Sequence, residues 1–197
     1  NACPPNCAGD SKGQFDLNQY DSAYFTRLRN HVIAANAKGI TSYVMLFEGY
    51  IFGDTVGAIK SWPSHPFRAG NNINGINGDT NNDGNGIETQ QLCSGACPWQ
   101  TVQDNYIKKV VDTLSDLDIM YEVANEAAVT TLPWQQRVAQ VVYDYETTKP
   151  QRHPIGISGA SITYAQLLAT PAVVSWIAPP LGDIWANPPA TNGTKVV

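Results

Sequence analysis

Apolar residues recur along the chain with two different periods. Phe25, Leu28, Val32 and Ala35 fall at three- and four-residue steps, which places them on one face of a helix. Asp21 or Asn18 can cap its start, and Gly39 is placed to stop it. The run from Ile40 to Phe47 (ITSYVMLF) then reads as a strand rich in β-branched and aromatic residues, ended by Glu48. A second helix is predicted from about Val102 to Leu117, with Tyr106, Ile107, Val110, Val111 and Leu114 as its stripe. The run from Ile119 to Glu126 (IMYEVANE) is a second strand. Pro133 opens a third helix, reaching Thr147, with Trp134, Val138, Val141, Val142 and Tyr145 on its apolar side. His153–Ser158, Ile162–Leu168 and Val173–Ile177 read as strand, short helix and strand.

An apolar run between two helices is the pattern of a buried parallel strand. Repeated alternation predicts right-handed β/α units in one α/β sheet. Ligands bind outside the carboxyl ends of such strands, so Glu48, Asn125 and Glu126 are placed for chemistry. Strict alternation puts Met120, Glu122, Ala124 and Glu126 on one face. A carboxylate inside a sheet must be paired or protonated, so Glu122 is expected to have a structural partner such as Arg. Residues 49–100 form a long insertion with little periodicity, and loops of that length are usually functional or disordered.

Composition narrows the field. The chain has 197 residues, enough for one domain with a core, and a formal net charge of −5 with only 12 Lys+Arg. That balance argues against nucleic acid or an anionic membrane as main partner. No run approaches the ~18–20 apolar residues of a membrane helix. The first residues, Asn1 to Cys7, lack the basic-then-apolar layout of a signal peptide; a signal has been removed or there never was one. The four cysteines are two C-x-x-x-C pairs, Cys3/Cys7 and Cys93/Cys97. Disulfides in a secreted protein are the favoured reading, with a four-thiolate zinc site and free thiols as alternatives.

Asp79, Asn81, Asp83 and Gly84 match the first half of a calcium loop, D-x-[DN]-x-[DN]-G. Its usual bidentate Glu at the twelfth place is replaced by Gln90, and Glu88 is the candidate substitute ligand. The plainer alternative is a cluster of Asx turns. Trp62, His65, Phe67 and Trp99 in the insertion, and Trp185 in the Pro-rich tail, are candidates to pack on the C–H faces of a sugar, or else to anchor their own loops.

Tyr121–Glu126 (YEVANE) resembles the fourth-strand signature of the clan of (β/α)8 retaining glycoside hydrolases, where an Asn-Glu pair closes strand four and the Glu is the general acid/base. Phe15–Tyr20 (FDLNQY), Val44–Gly49 (VMLFEG), His65–Phe67 (HPF), Asn71–Asp79 (NNINGINGD), Lys109–Thr113 (KVVDT) and the Trp176-Ile-x-Pro179 stretch are similar to a bacterial secreted group in that clan, related to apiosidase-like and cellulase-like enzymes. The resemblance covers nearly the whole chain from Phe15. It implies a TIM-type barrel, carbohydrate as substrate, no required cofactor, Glu126 as acid/base and Asn125 on the neighbouring sugar hydroxyl. Glu48 would bind sugar or stand in as a second carboxylate.

Retaining glycosidases use two carboxyl groups ~5–5.5 Å apart, and the acid of such a pair must hold its proton at working pH. In the family the second carboxylate is a Glu on strand seven, which would follow Val197. The chain shows about four strands where a barrel needs eight. It is therefore expected to be a partial barrel, as a fragment or as a naturally shortened version. Open sheet edges would favour self-association, and a non-catalytic carbohydrate-binding or assembling protein is the alternative function.

Overall fold

The computed structural model describes residues 14–49, 62–159, 161–179 and 193–197. Helix α1 is Ser22–Asn36, β1 Ser42–Glu48, α2 Pro98–Leu114, β2 Ile119–Asn125, α3 Leu132–Tyr145, β3 Ile155–Ser158, α4 Tyr164–Leu168 and β4 Trp176–Ala178. The four strands form one sheet in the order β1-β2-β3-β4, every pair parallel. This is the α/β alternation expected from the hydrophobic pattern.

The helix ends follow local chemistry. Asp21 caps α1, its carboxylate accepting from the Ala23 and Tyr24 amides at 2.9 and 3.3 Å. Pro98 and Pro133 occupy first-turn positions of α2 and α3, where no amide donor is needed. Thr163 and Gln166 form a reciprocal capping box on α4. The main core joins Phe25 and Val32 of α1, Ile107, Val110, Val111 and Leu114 of α2, Trp134, Val138 and Val142 of α3, and the strand residues.

Strand β2 is buried on both sides. Ile119, Tyr121 and Val123 on one side and Glu122 and Ala124 on the other are at most 2% exposed, as expected for a central parallel strand. The register sets Met45, Glu122, Gly156 and Trp176 in one row across the sheet. The Trp176 indole lies over Gly156, where a Cβ would fall inside the ring, and its centroid is 5.2 Å from that of Tyr43. Glu122 has no arginine partner among the described residues. The Ser158 hydroxyl donates to its carboxylate and also reaches the Ala124 carbonyl at 3.1 Å, and the Tyr43 hydroxyl, whose pKa burial raises, lies near enough for the carboxylate to raise it further. A hydroxyl from the adjacent strand thus meets the carboxylate where a cation was expected.

Two further expectations are corrected. The last strand begins at Trp176, because Val173 and Val174 belong to a turn closed by the Val174 amide on the Pro171 carbonyl at 3.0 Å. Val174 is fully buried there; apolar character marks burial, and does not by itself specify extended backbone. The β4 edge is also not bare. The Ile177 amide donates to Val196 O at 2.9 Å and the Val196 amide to Ser175 O at 3.0 Å, forming a parallel bridge. Lys195 Nζ fastens the same segment to the Pro171 and Val174 carbonyls at 3.0 and 2.7 Å. Strand β1 has a sheet neighbour on one side only among the described residues, and its Tyr43 and Met45 are exposed.

The close seating of Trp176 makes Gly156 irreplaceable by any larger residue. Gly156→Ala is expected to cost about 1–3 kcal/mol by overpacking and to lower Tm by several degrees in thermal unfolding followed by circular dichroism. An unchanged Tm would contradict the contact.

Candidate functional site at the carboxyl ends of the strands

Strands β1 and β2 end side by side. Glu48 is the last residue of β1 and is in register with Asn125, the last of β2. Asn125 Nδ2 donates weakly to the two Glu48 carboxylate oxygens, at 3.3 and 3.4 Å. The Gly49 amide donates to Asn125 O at 2.7 Å. A Cβ on Gly49 would collide with the Ala127 backbone, so only glycine lets the two strand-end segments cross at this separation.

Glu126 departs from the expected alternation. The strand stops at Asn125, and Glu126 has φ 47°, in the left-handed region. Its position is therefore set by this turn, and the face it shares with Met120, Glu122 and Ala124 cannot be read from a period of two. A non-glycine residue held there costs of order 1–3 kcal/mol, and such residues concentrate at functional sites. Glu126 is exposed, between half-buried Asn125 and buried Ala127.

A cleft of about 380 Å³ opens next to Glu48, lined among others by Phe47, His65, Phe67, Gln90, Gln103 and Tyr106. Sequence reasoning placed Glu48 and His65 in a site, and the cleft brings them together. Asn125 is tied to it through Glu48, whereas Glu126 is not one of its lining residues. Trp62 does not line it either. It is 3% exposed, packs with Leu17, Phe67, Ile76, Trp99 and Val102 in a second core, and stacks on His65 at 5.0 Å. Its place, like that of Trp99, is that of an anchor for the insertion. Trp185, Cys3 and Cys7 lie outside the described residues.

Burial pushes His65 down to about 4, so the ring is neutral at ordinary pH. Its Nδ1 accepts from the Phe67 amide at 3.1 Å, which leaves the ring proton on Nε2. Burial, followed by the Glu122 contact, holds the Tyr43 hydroxyl well above its usual range.

Two glutamines hold structural roles that the sequence pattern did not assign to them. Gln90 Nε2 donates to Glu48 O at 2.9 Å, and its Oε1 is buried without a hydrogen-bond partner among the described residues. Gln103 Nε2 donates to Thr89 O at 2.7 Å, while its Oε1 accepts from Trp134 Nε1 at 3.2 Å. They stitch the insertion to β1 and to α2 and α3. A signal for Gln103 was present: it lies four residues after Trp99 and four before Ile107, a polar residue on a core stripe.

In the insertion, Asp79, Asp83 and Glu88 each place an oxygen within 4.8 Å of the others. Asn81 Nδ2 donates to Asp83 at 3.0 Å, so the four predicted ligands come together. Further along, Cys93 and Cys97 form a disulfide with Cα atoms 6.0 Å apart. Two of the four thiolates that a zinc site would need are thereby joined to each other.

No family model, no curated protein and no solved structure matches the chain. The resemblance to retaining glycosidases accordingly rests on the sequence motifs. No helix among the described residues is long and apolar enough to cross a membrane.

The His65 shift has a measurable sign. Protonation is disfavoured in the folded state, so the unfolded chain binds more protons between about pH 6.5 and 4. This residue's contribution to stability falls as pH drops through that window. An NMR titration of the His65 ring should give a midpoint near 4; a midpoint near 6.5 would contradict the buried, Nδ1-accepting geometry.

Proposed function

We propose that the chain is a retaining glycoside hydrolase-like protein of the TIM-barrel type, secreted, acting on a plant or microbial polysaccharide, with Glu126 as general acid/base. The observation that carries this reading is the close of β2: Asn125 bound to Glu48 of the next strand, followed by an exposed Glu126 in left-handed conformation. Carboxyl ends of parallel strands are where such barrels place their chemistry. Four consecutive parallel strands in sequence order suit a segment of a barrel wall.

In this scheme the Glu126 carboxyl gives its proton to the glycosidic oxygen as the C–O bond breaks. A second carboxylate bonds to the anomeric carbon. Glu126, now a base, takes a proton from the water that releases the sugar. Asn125 orients the hydroxyl beside the reacting carbon, and the cleft beside Glu48 offers aromatic and amide surface for a neighbouring sugar unit. Glu48 is the candidate for the second carboxylate within this chain. The cysteine pair and the acidic balance suit an extracellular protein.

The test is hydrolysis of a polysaccharide panel and of activated aryl glycosides by the 197-residue chain. Glu126→Gln should lower turnover by about 10²–10⁴-fold. It should do so least for the aryl glycosides, whose leaving groups need little protonation. Equal activity of Glu126→Gln and the parent would end the assignment.

The second reading, a non-catalytic carbohydrate-binding protein that self-associates, is favoured by one observation, the exposed Tyr43 and Met45 on a strand paired on one side only among the described residues. It predicts dimers or larger species in light scattering at micromolar concentration, together with polysaccharide binding without release of reducing ends. A monomer at every concentration would remove it.

A further inference from the structure

We propose that the segment from Asp79 to Glu88 is a calcium site. The proposal is independent of the glycosidase reading. It begins with the loop's own hydrogen bonds. One Asp79 oxygen accepts from the Asp83 amide at 3.1 Å and the other from the Gly84 amide at 3.0 Å. Asn81 Oδ1 accepts from the Asp83 amide at 2.9 Å, and Asp83 Oδ1 from the Asn85 amide at 3.1 Å. These bonds curl the backbone so that successive side-chain oxygens at 79, 81 and 83 turn inward, but turns of this kind occur without any ion.

The observation that points to a ligand is Glu88. One of its oxygens accepts from the Asn81 amide at 3.1 Å. The other, Oε2, is sealed from solvent and has no hydrogen-bond partner among the described residues. A carboxylate oxygen withdrawn from water without a donor is expensive, and the same side chain has an oxygen within 4.8 Å of the Asp79 and Asp83 carboxylates. A divalent cation supplies both the missing partner and the missing charge.

The donor set selects the ion. All the candidate ligands are oxygens, from three carboxylates and one amide, with no imidazole or thiolate. That favours a hard cation over zinc or copper. Opposite oxygens around calcium stand about 4.6–5.2 Å apart and around magnesium about 4.0–4.2 Å. The three carboxylates each place an oxygen within 4.8 Å of the others, close enough for one cation to bridge them, and a cage of several protein oxygens suits calcium better than magnesium, which keeps most of its waters. Glu88 sits in the 3-10 turn Ile87–Gln90, at a place where the usual loop has its ligand two residues later. Gln90 is thereby released for another task, its bond to the Glu48 carbonyl. Bound calcium would in this way fix the insertion against the end of β1.

Terbium, a calcium mimic whose emission is sensitised by nearby indoles, tests this directly on the full chain. The Trp62 ring packs on Gly86, inside the loop. Saturable terbium emission should appear on excitation of tryptophan and be displaced by calcium, with a calcium Kd in the range of about 10⁻⁵ to 10⁻³ M and far weaker displacement by magnesium. Glu88→Gln and Asp83→Asn, both close in shape to the residues they replace, should each weaken calcium by tenfold or more. Calcium should raise the Tm of the unaltered protein by several degrees and that of Glu88→Gln much less. No saturable emission and no Tm change up to about 10 mM calcium would overturn the proposal. Binding that neither substitution weakens would also overturn it, since the ion would then sit elsewhere on the acidic surface.

Discussion

Strand β2 is buried on both faces, and the arrangement of the molecule follows from the polar residues it nevertheless carries. An apolar central strand places no demand on its neighbours beyond packing. This one brings Glu122 into the sheet and Asn125 to its end. Each must find a partner on an adjacent strand, because desolvation without one costs more than a typical hydrogen bond returns. Ser158 from β3 answers Glu122, with the Tyr43 hydroxyl of β1 nearby; Glu48 from β1 answers Asn125. These contacts pin the register of three strands at once. A slip by one residue would carry Glu122 to the opposite buried face and leave it unpaired.

The same constraint shapes the strand ends. Once Asn125 and Glu48 are side by side, the following segments must cross, and Gly49 passes against Ala127 with no room for a side chain. Glu126 is then forced into a left-handed turn that points the chain toward α3. The exposed carboxylate is thus a product of how the strand ends pack as much as of its own sequence. Around it the insertion is organised by a separate small core of Trp62, Trp99 and their neighbours, joined to β1 through Gln90. A scaffold of rigid strands and an anchored loop is the usual way to hold polar groups for binding or catalysis.

Much of the fold was legible because its determinants are local. β-branched runs gave β1 and β2, three- and four-residue spacing gave α1 to α3, and Asp21 and the prolines marked helix starts. The acidic loop was legible for the same reason, since its four oxygen-bearing residues lie within ten positions of one another. What sequence could not convey were partnerships between distant residues. Ser158 is 36 positions from Glu122, so an arginine was a reasonable but mistaken expectation. The bridge from Val196 to β4, the bond from Gln90 to Glu48 and the turn at Val173–Val174 have no local signature either. Glu126 was correctly placed at a strand end, yet its orientation depended on a backbone reversal that alternation does not foresee.

The central claim is that function resides at the carboxyl ends of β1 and β2. Amide chemical-shift mapping on titration with oligosaccharides from plant and microbial polysaccharides addresses it most directly. Perturbations concentrated at Phe47–Gly49, His65–Phe67, Thr89–Gln90 and Asn125–Ala127 are the predicted result. Perturbations confined to the opposite end of the sheet, around Thr41–Tyr43 and Asp118–Met120, or none with any sugar, would contradict it.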